Sequence, residues 1–374
     1  MSFPRALARA SSPSATRHGR AVKTLAALTA AVVLTATGCG TEPVRSGASA
    51  PDDAAPRRTS YPLTVDNCGQ KVRFTRPPSR VLILNGTSVG EVESFIMLGL
   101  TRPILANVQH YGVSDDPSMV AAIKALPTRG LTMNKNFDVP AEQVLAARPD
   151  LVVSTWSGGF DARNGFATRE RLAAAGINSL VNPVNCANGK PDASPAEKEA
   201  WRHASIESSF RFMTLLGRIF DVQAKAAQTV GALRARVRDV RAKVAGKPPR
   251  KVLIAYPGMS MMNANGLPAI MTGGIYDDVI KAAGGVNSFA GRSEDTTRTL
   301  NKEQLATAQV DVLVVGAFTL TEKPAEEAQR LFAAYPQWQA SKTRSYTVVS
   351  DGAYLGPMNA WAVEKFAKVI HPDA

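Results

Sequence analysis

Hydrophobic and polar positions alternate with two different periods along this chain. Short continuous apolar runs read as buried strands: Arg80-Val-Leu-Ile-Leu84, Pro103 to Val108, Asp150-Leu-Val-Val-Ser154, Asn178 to Val181 and Lys251-Val-Leu-Ile-Ala255. Between them, Glu91 to Gly99, Pro140 to Ala147 and Arg169 to Ala175 predict helices. Ahead of them, Tyr61 to Phe74 reads as a hairpin with Asn67 to Gln70 as its turn, ended by Pro77-Pro78. Strand and helix in alternation argue an α/β lobe with a mainly parallel sheet.

One segment is longer than the rest. From Asp221 to Ala245 the apolar positions are Val222, Ala226, Val230, Leu233, Val237, Val240 and Val244, stepping by three or four along one helical face. Gly246 and Pro248-Pro249 stop it. Its 25 residues reach roughly 37 Å at 1.5 Å each, so it is either a strut between two lobes or an amphipathic helix packed on a sheet. Segments on its two sides echo each other. Ala141-Glu142-Gln143 leading to Asp150-Leu-Val-Val153 recurs as Lys302-Glu303-Gln304 leading to Asp311-Val-Leu-Val314. The fold class expected is therefore two similar α/β lobes with mainly parallel sheets, joined by one long rigid helix. The boundaries are a signal segment 1–38, a tether 39–60, a first lobe 61–200, a helical region 201–249 and a second lobe 250–374.

Composition changes the picture mainly at the N-terminus. The formal net charge is +13, but residues 1–38 hold five basic residues and no acid; without them, 39 basic against 31 acidic residues leave +8. No dense basic run is interleaved with aromatics, so nucleic acid is not an expected partner. The basic start is followed by an apolar stretch, Thr24 to Thr37, which is too short to span a bilayer and has the length of a signal-peptide core. Ala36-Thr37-Gly38-Cys39 resembles a bacterial lipobox with Ala36 in place of the usual Leu, which makes Cys39 the expected lipidation site. Gly40 to Ser60, rich in Ser, Ala, Pro, Gly and Asp, reads as a flexible tether. The body is thus expected outside the cell membrane, held to its outer face by lipid. In that oxidising setting the two remaining cysteines, Cys68 and Cys186, are expected to pair.

Gly86-Thr87-Ser88-Val89-Gly90 matches the G-x-S-x-G of a nucleophile elbow between a strand and a helix. This makes a secreted serine hydrolase acting through Ser88 the enzyme alternative. Against it, the pattern follows the first strand of the body, no His-Gly-Gly run supplies an oxyanion hole, and His110, His203 and His371 have no evident acidic partner.

From Tyr61 onward the chain resembles the periplasmic binding proteins of ABC importers that handle iron–siderophore complexes and cobalamin. The likeness is carried by Arg80-Val-Leu-Ile-Leu84 with Glu91 and Leu98-Gly99-Leu100, by Glu142 to Val153, by Leu215-Leu216-Gly217, by Ala282-Ala-Gly-Gly-Val-Asn287 and by Glu303 to Val314. It implies a monomeric receptor with no chemistry of its own, delivering a small-molecule metal chelate to an ABC permease. A ligand-sensing receptor of the same fold is the other reading. The resemblance implies that Glu142 and Glu303 dock the permease. It also puts ligand at loops after the strand ends. The candidates there are Asn85, Thr87, Ser88, Tyr111, Trp156, Tyr256, Met259, Met261, Met262, Phe318 and Tyr354, with Arg163 and Arg298 as nearby cations. Aromatics with a few cations suit a large, flat, partly anionic ligand such as a ferric siderophore. No resident cofactor is expected, and iron only inside the chelate.

Overall fold

The computed structural model describes residues 58–373 apart from Thr87, Tyr111, Gly112 and residues 294–296. The expected signal segment, Cys39, the tether up to residue 57 and the candidates Thr87 and Tyr111 lie outside the described residues.

The first lobe opens with a hairpin of β1 (Leu63–Asn67) and β2 (Gln70–Phe74). Its two-residue loop, Cys68-Gly69, has φ of 55° and 81°, as the tight turn that suits strand twist requires. Four strands follow: β3 (Val81–Ile83), β4 (Ile104–Asn107), β5 (Leu151–Ser154) and β6 (Asn178–Val181). They form a parallel sheet in the order β4-β3-β5-β6. Their helices are α1 (Gly90–Met97), α2 (Pro117–Lys124), α3 (Ala141–Ala147) and α4 (Arg169–Ala174). Arg169, almost fully buried, donates to the carbonyl and side-chain oxygens of Asn67 and to Ser179, which fastens the hairpin to the sheet. Cys68 and Cys186 form a disulfide (S–S 2.01 Å) that ties the hairpin loop to the segment after β6.

Three helices connect the lobes: α5 (Pro195–Arg202), α6 (Ile206–Ile219) and α7 (Gln223–Val244). The long helix starts two residues later than its pattern suggests, because Asp221 takes a left-handed φ of 57° in the turn after α6. Its buried residues are Ala226, Val230, Leu233, Val237, Val240 and Val244, the face that the apolar spacing marks. The second lobe contains β7 (Arg250–Tyr256), β8 (Ala269–Met271), α8 (Gly274–Ala282), β9 (Gly285–Asn287), α9 (Lys302–Ala306), β10 (Val312–Gly316), α10 (Pro324–Ala334), α11 (Gln339–Thr343), β11 (Tyr346–Val349) and α12 (Asn359–Ile370). Its sheet runs β11-β10-β7-β8, with β9 beside the first residues of β7; β8 alone among these is antiparallel.

Strand alternation divides the core. Leu82, Leu84 and Val152 face one cluster outside the first sheet, and Leu253, Ala255, Leu313 and Val315 face another outside the second. The opposite faces, with Val81, Ile83 and Val153 from one lobe and Val252, Ile254, Val312 and Val314 from the other, join a single cluster with α6, α7 and α12. The long helix is therefore not a strut crossing solvent. It lies packed against α6 and α12. Arg236 on its outer side makes two 2.7 Å hydrogen bonds to Glu364 and sits 3.7 Å from the Trp361 ring centre.

Candidate ligand cleft

In the first lobe, one carboxylate braces every strand end. Glu91, on the first turn of α1 after β3, is fully buried. It accepts from Gln109 beyond β4 (3.0 Å), Thr155 beyond β5 (2.5 Å) and Asn182 beyond β6 (3.0 Å). Burial raises its pKa, and these three donors oppose the rise. The loops at the carboxyl edge of this sheet are thus held in one arrangement.

The Gly-Thr-Ser-Val-Gly segment has a different task from the one its pattern suggests. A side-chain carbon on Gly86 would stand 2.3 Å from the Thr155 hydroxyl, and one on Gly90 would stand 2.0 Å from the Leu355 carbonyl of the second lobe. Both glycines are needed for close approach. Ser88 is 0% exposed; its hydroxyl donates to Asp351 (2.7 Å) and accepts from the Gly90 amide (2.8 Å). A hydroxyl enclosed on both sides is closed to an ester substrate. The motif is a contact between lobes. Nearby, Asp115 accepts from the amides of Ser350 (3.0 Å) and Gly352 (3.1 Å) and from Lys365 (2.6 Å), adding a second polar link.

Beside this contact lies a cavity of about 830 Å³. Tyr256 at the end of β7 and Met259 and Met262 after it line the cavity, with Phe318 after β10 and Tyr354 after β11. Gly316 is required here, since a side-chain carbon on it would stand 2.3 Å from the Tyr256 ring. The Tyr256 hydroxyl donates to the Ser350 carbonyl (2.8 Å). Tyr354 lies 5.9 Å from Tyr276 between ring centres. Val113 and Asn188 reach the cavity from the first lobe, and the turn from Trp201 to Ser205 forms one side.

Charge in the cavity is unequal in its availability. Lys281, Arg292 and Arg298 line it, are exposed, and form no ion pair among the described residues. The acids are engaged. Asp277 accepts from the Gly273 amide (3.0 Å) and Asn287 (2.8 Å), and Asp278 accepts from the Ile206 amide (2.9 Å). Desolvation pushes the Asp351 carboxyl up to about 8, against the hydrogen bond from Ser88. Desolvation and then the Asp351 charge push buried Glu93 well above its ordinary range. Glu294 and Asp295, between the two arginines in sequence, lie outside the described residues.

Of the expected ligand residues, Tyr256, Met259, Met262, Arg298, Phe318 and Tyr354 line this cavity. Asn85, Ser88, Trp156, Arg163 and Met261 do not. Asn85 is buried and donates to the Phe137 carbonyl (2.7 Å), while its own amide meets Asp138 (3.0 Å). Trp156 is covered by Gly158 and Gly189, neither of which leaves room for a side chain over its ring. Arg163 is exposed and paired with Asp161 (2.6 Å), and Met261 is 80% exposed on the turn after β7. The strand-end rule overlooks Trp201, Arg202, His203 and Arg292, which also line the cavity. Trp201 to His203 belong to a helix corner rather than a strand end. Glu142 and Glu303 are both exposed in the first turns of α3 and α9, the short helices that feed β5 and β10. Among the described residues, no group of three or more His, Cys, Asp or Glu is placed to hold a metal ion.

Residues 87–344 match the family described as periplasmic binding protein. Among solved structures, the ABC-type Fe3+-hydroxamate transport system protein of Saccharomonospora viridis DSM 43017 is similar, with 22% identity, a TM-score of 0.61 and coverage of 83% of this chain and 100% of that one. A periplasmic binding protein of Veillonella parvula gives 18% identity, a TM-score of 0.63 and coverage of 83% and 97%. The periplasmic heme-binding protein RhuT of Roseiflexus sp. RS-1, in apo form, gives 18% identity, a TM-score of 0.53 and coverage of 78% and 99%. At these identities the structures establish a shared fold. No curated protein matches the chain.

Proposed function

The chain belongs to the periplasmic binding protein family, whose members bind solutes and are not enzymes, and on that premise we propose that it is the lipid-anchored receptor of an ABC importer for a ferric siderophore-like ligand. The observation that carries this reading is the cavity at the strand ends. Its volume suits a drug-sized or larger ligand. Aromatic side chains and methionines supply contact area, and Lys281, Arg292 and Arg298, which form no ion pair among the described residues, supply positive charge. Such a lining suits a flat, partly anionic iron chelate. The descriptions of two similar structures, one of an Fe3+-hydroxamate transport system and one heme-binding, agree in class.

Delivery is proposed to run through Glu142 and Glu303. Each is an exposed carboxylate in the first turn of an equivalent helix, one per lobe. Two charges carried one on each lobe set orientation and encounter rate more than affinity. Anchoring is proposed at Cys39, from its lipobox-like sequence alone.

Tryptophan fluorescence of the purified protein, titrated with ferric hydroxamates, ferric catecholates, heme and cobalamin, tests the ligand class. Saturable quenching at submicromolar concentration by a ferric chelate is expected; silence across the panel would reject the class. Changing both Glu142 and Glu303 to Ala should abolish uptake by whole cells and leave ligand affinity unchanged. Undiminished uptake by that double variant would reject the docking assignment.

A further inference from the structure

Helix α5 and the corner after it do not belong to either sheet, yet they close one side of the cavity. None of the residues of α5 is buried, so it contributes little to the core. It is nevertheless held firmly. Its start carries a capping box between Ser194 and Glu197. Glu197 accepts from Lys190 at 2.8 Å, and Lys190 also reaches the Cys68 carbonyl at 3.4 Å, beside the disulfide to Cys186. Its end is seated on the second lobe. Ala204 is buried, a side-chain carbon on Gly274 would come within 3.5 Å of Ala204 and of the Trp201 carbonyl, and the Ile206 amide donates to Asp278 at 2.9 Å. An exposed helix fixed at both ends has a placing task rather than a packing one.

What it places is the turn Trp201-Arg202-His203, which lines the cavity together with the strand-end aromatics. Trp201 is half-buried, so part of its indole stays available. Arg202 is 66% exposed and pairs with Glu199, which His203 also meets at 2.8 Å. We propose that α5 is a fixed wall of the ligand site, and that Trp201 and Arg202 contact the aromatic and anionic parts of the bound ligand. This rests on the reading of the cavity as the ligand site. The class of ligand it selects is a planar aromatic bearing negative charge. The indole offers a face for stacking, and Arg202 joins Arg292 and Arg298 as a cation on the rim.

The test uses 8-anilinonaphthalene-1-sulfonate, an anionic aromatic probe, on the purified protein. Saturable binding with energy transfer from tryptophan is expected. Trp201→Phe should remove most of that transfer, whereas Trp338→Phe, at a tryptophan fully buried in the outer core of the second lobe, should leave it. Trp201→Ala and Arg202→Gln should each weaken binding at least about threefold, and Arg202→Gln should leave the thermal midpoint unchanged because Arg202 is exposed. No probe binding by the wild-type protein, or equal affinity and transfer in these variants, would overturn the proposal. The ferric-chelate panel, repeated with the same variants, separates the two readings. If the probe results hold and no chelate binds, the wall stands and the importer's ligand class falls.

Discussion

Ser88, Asp351 and Gly90 show how much a few residues settle where the lobes meet. Desolvation lifts the Asp351 carboxyl from 3.8 to about 8, so the folded protein holds this proton more tightly than the unfolded chain does. The resulting stability is complete below about pH 4 and is lost as pH rises through about 8, with a slope of up to about 1.4 kcal/mol per pH unit between. Asp351→Asn removes the titration and keeps an oxygen for Ser88 and the Val89 amide. Urea unfolding at pH 5 and pH 8 should therefore show a smaller difference in the variant than in the wild type. Equal differences would show that Asp351 does not carry the proton. Gly90→Ala acts at the same place, forcing a methyl group to 2.0 Å from the Leu355 carbonyl. Overpacking of this kind costs on the order of 1–3 kcal/mol, and calorimetry should show a lower thermal midpoint without loss of secondary structure.

At the scale of elements, helix α7 is the clearest case of legible structure. Its buried face coincides with the apolar steps because a helix repeats every 3.6 residues wherever it packs. Leu233 is 2% exposed in the cluster shared by both lobes. Leu233→Ala should cost about 2–5 kcal/mol in denaturant unfolding; a loss below about 1 kcal/mol would mean that the site collapses around the gap. Helix α5 is the opposite case. It has a capping box and no buried face, so its sequence states where it begins but not what it covers. Five cleft residues, Tyr256, Met259, Met262, Phe318 and Tyr354, follow from the strand-end rule, because a side chain after a strand has few directions open to it. Trp201 and Arg202 escape that rule, since a corner between two helices is placed by its neighbours.

The whole molecule is stiffer than a hinge between two independent cores would be. The inner faces of the two sheets, α6, α7 and α12 share one apolar cluster. The polar links from Ser88 to Asp351 and from Asp115 to Ser350, Gly352 and Lys365 add to it. Opening the lobes would expose part of that cluster at roughly 25 cal/mol per Å². Ligand capture should therefore proceed with little closure. Small-angle scattering of the protein with and without a saturating ligand should show the radius of gyration changing by less than about 1 Å. A contraction of several ångströms would place a hinge where the shared core now argues for none.

The alternation of strand and helix in the first lobe, the buried face of α7, the likeness of the Glu142 and Glu303 segments and the small-residue turn after β3 are all determined by the sequence itself. They depend on periodicity and turn chemistry, which act over a few residues. The tertiary structure alone decides that Ser88 meets Asp351, 263 positions away. It alone decides that Gly90 is a lobe contact rather than part of an elbow, and that Trp201 faces a cavity. Each of these depends on which surfaces pack together, and packing is a property of the assembled core that no local pattern carries.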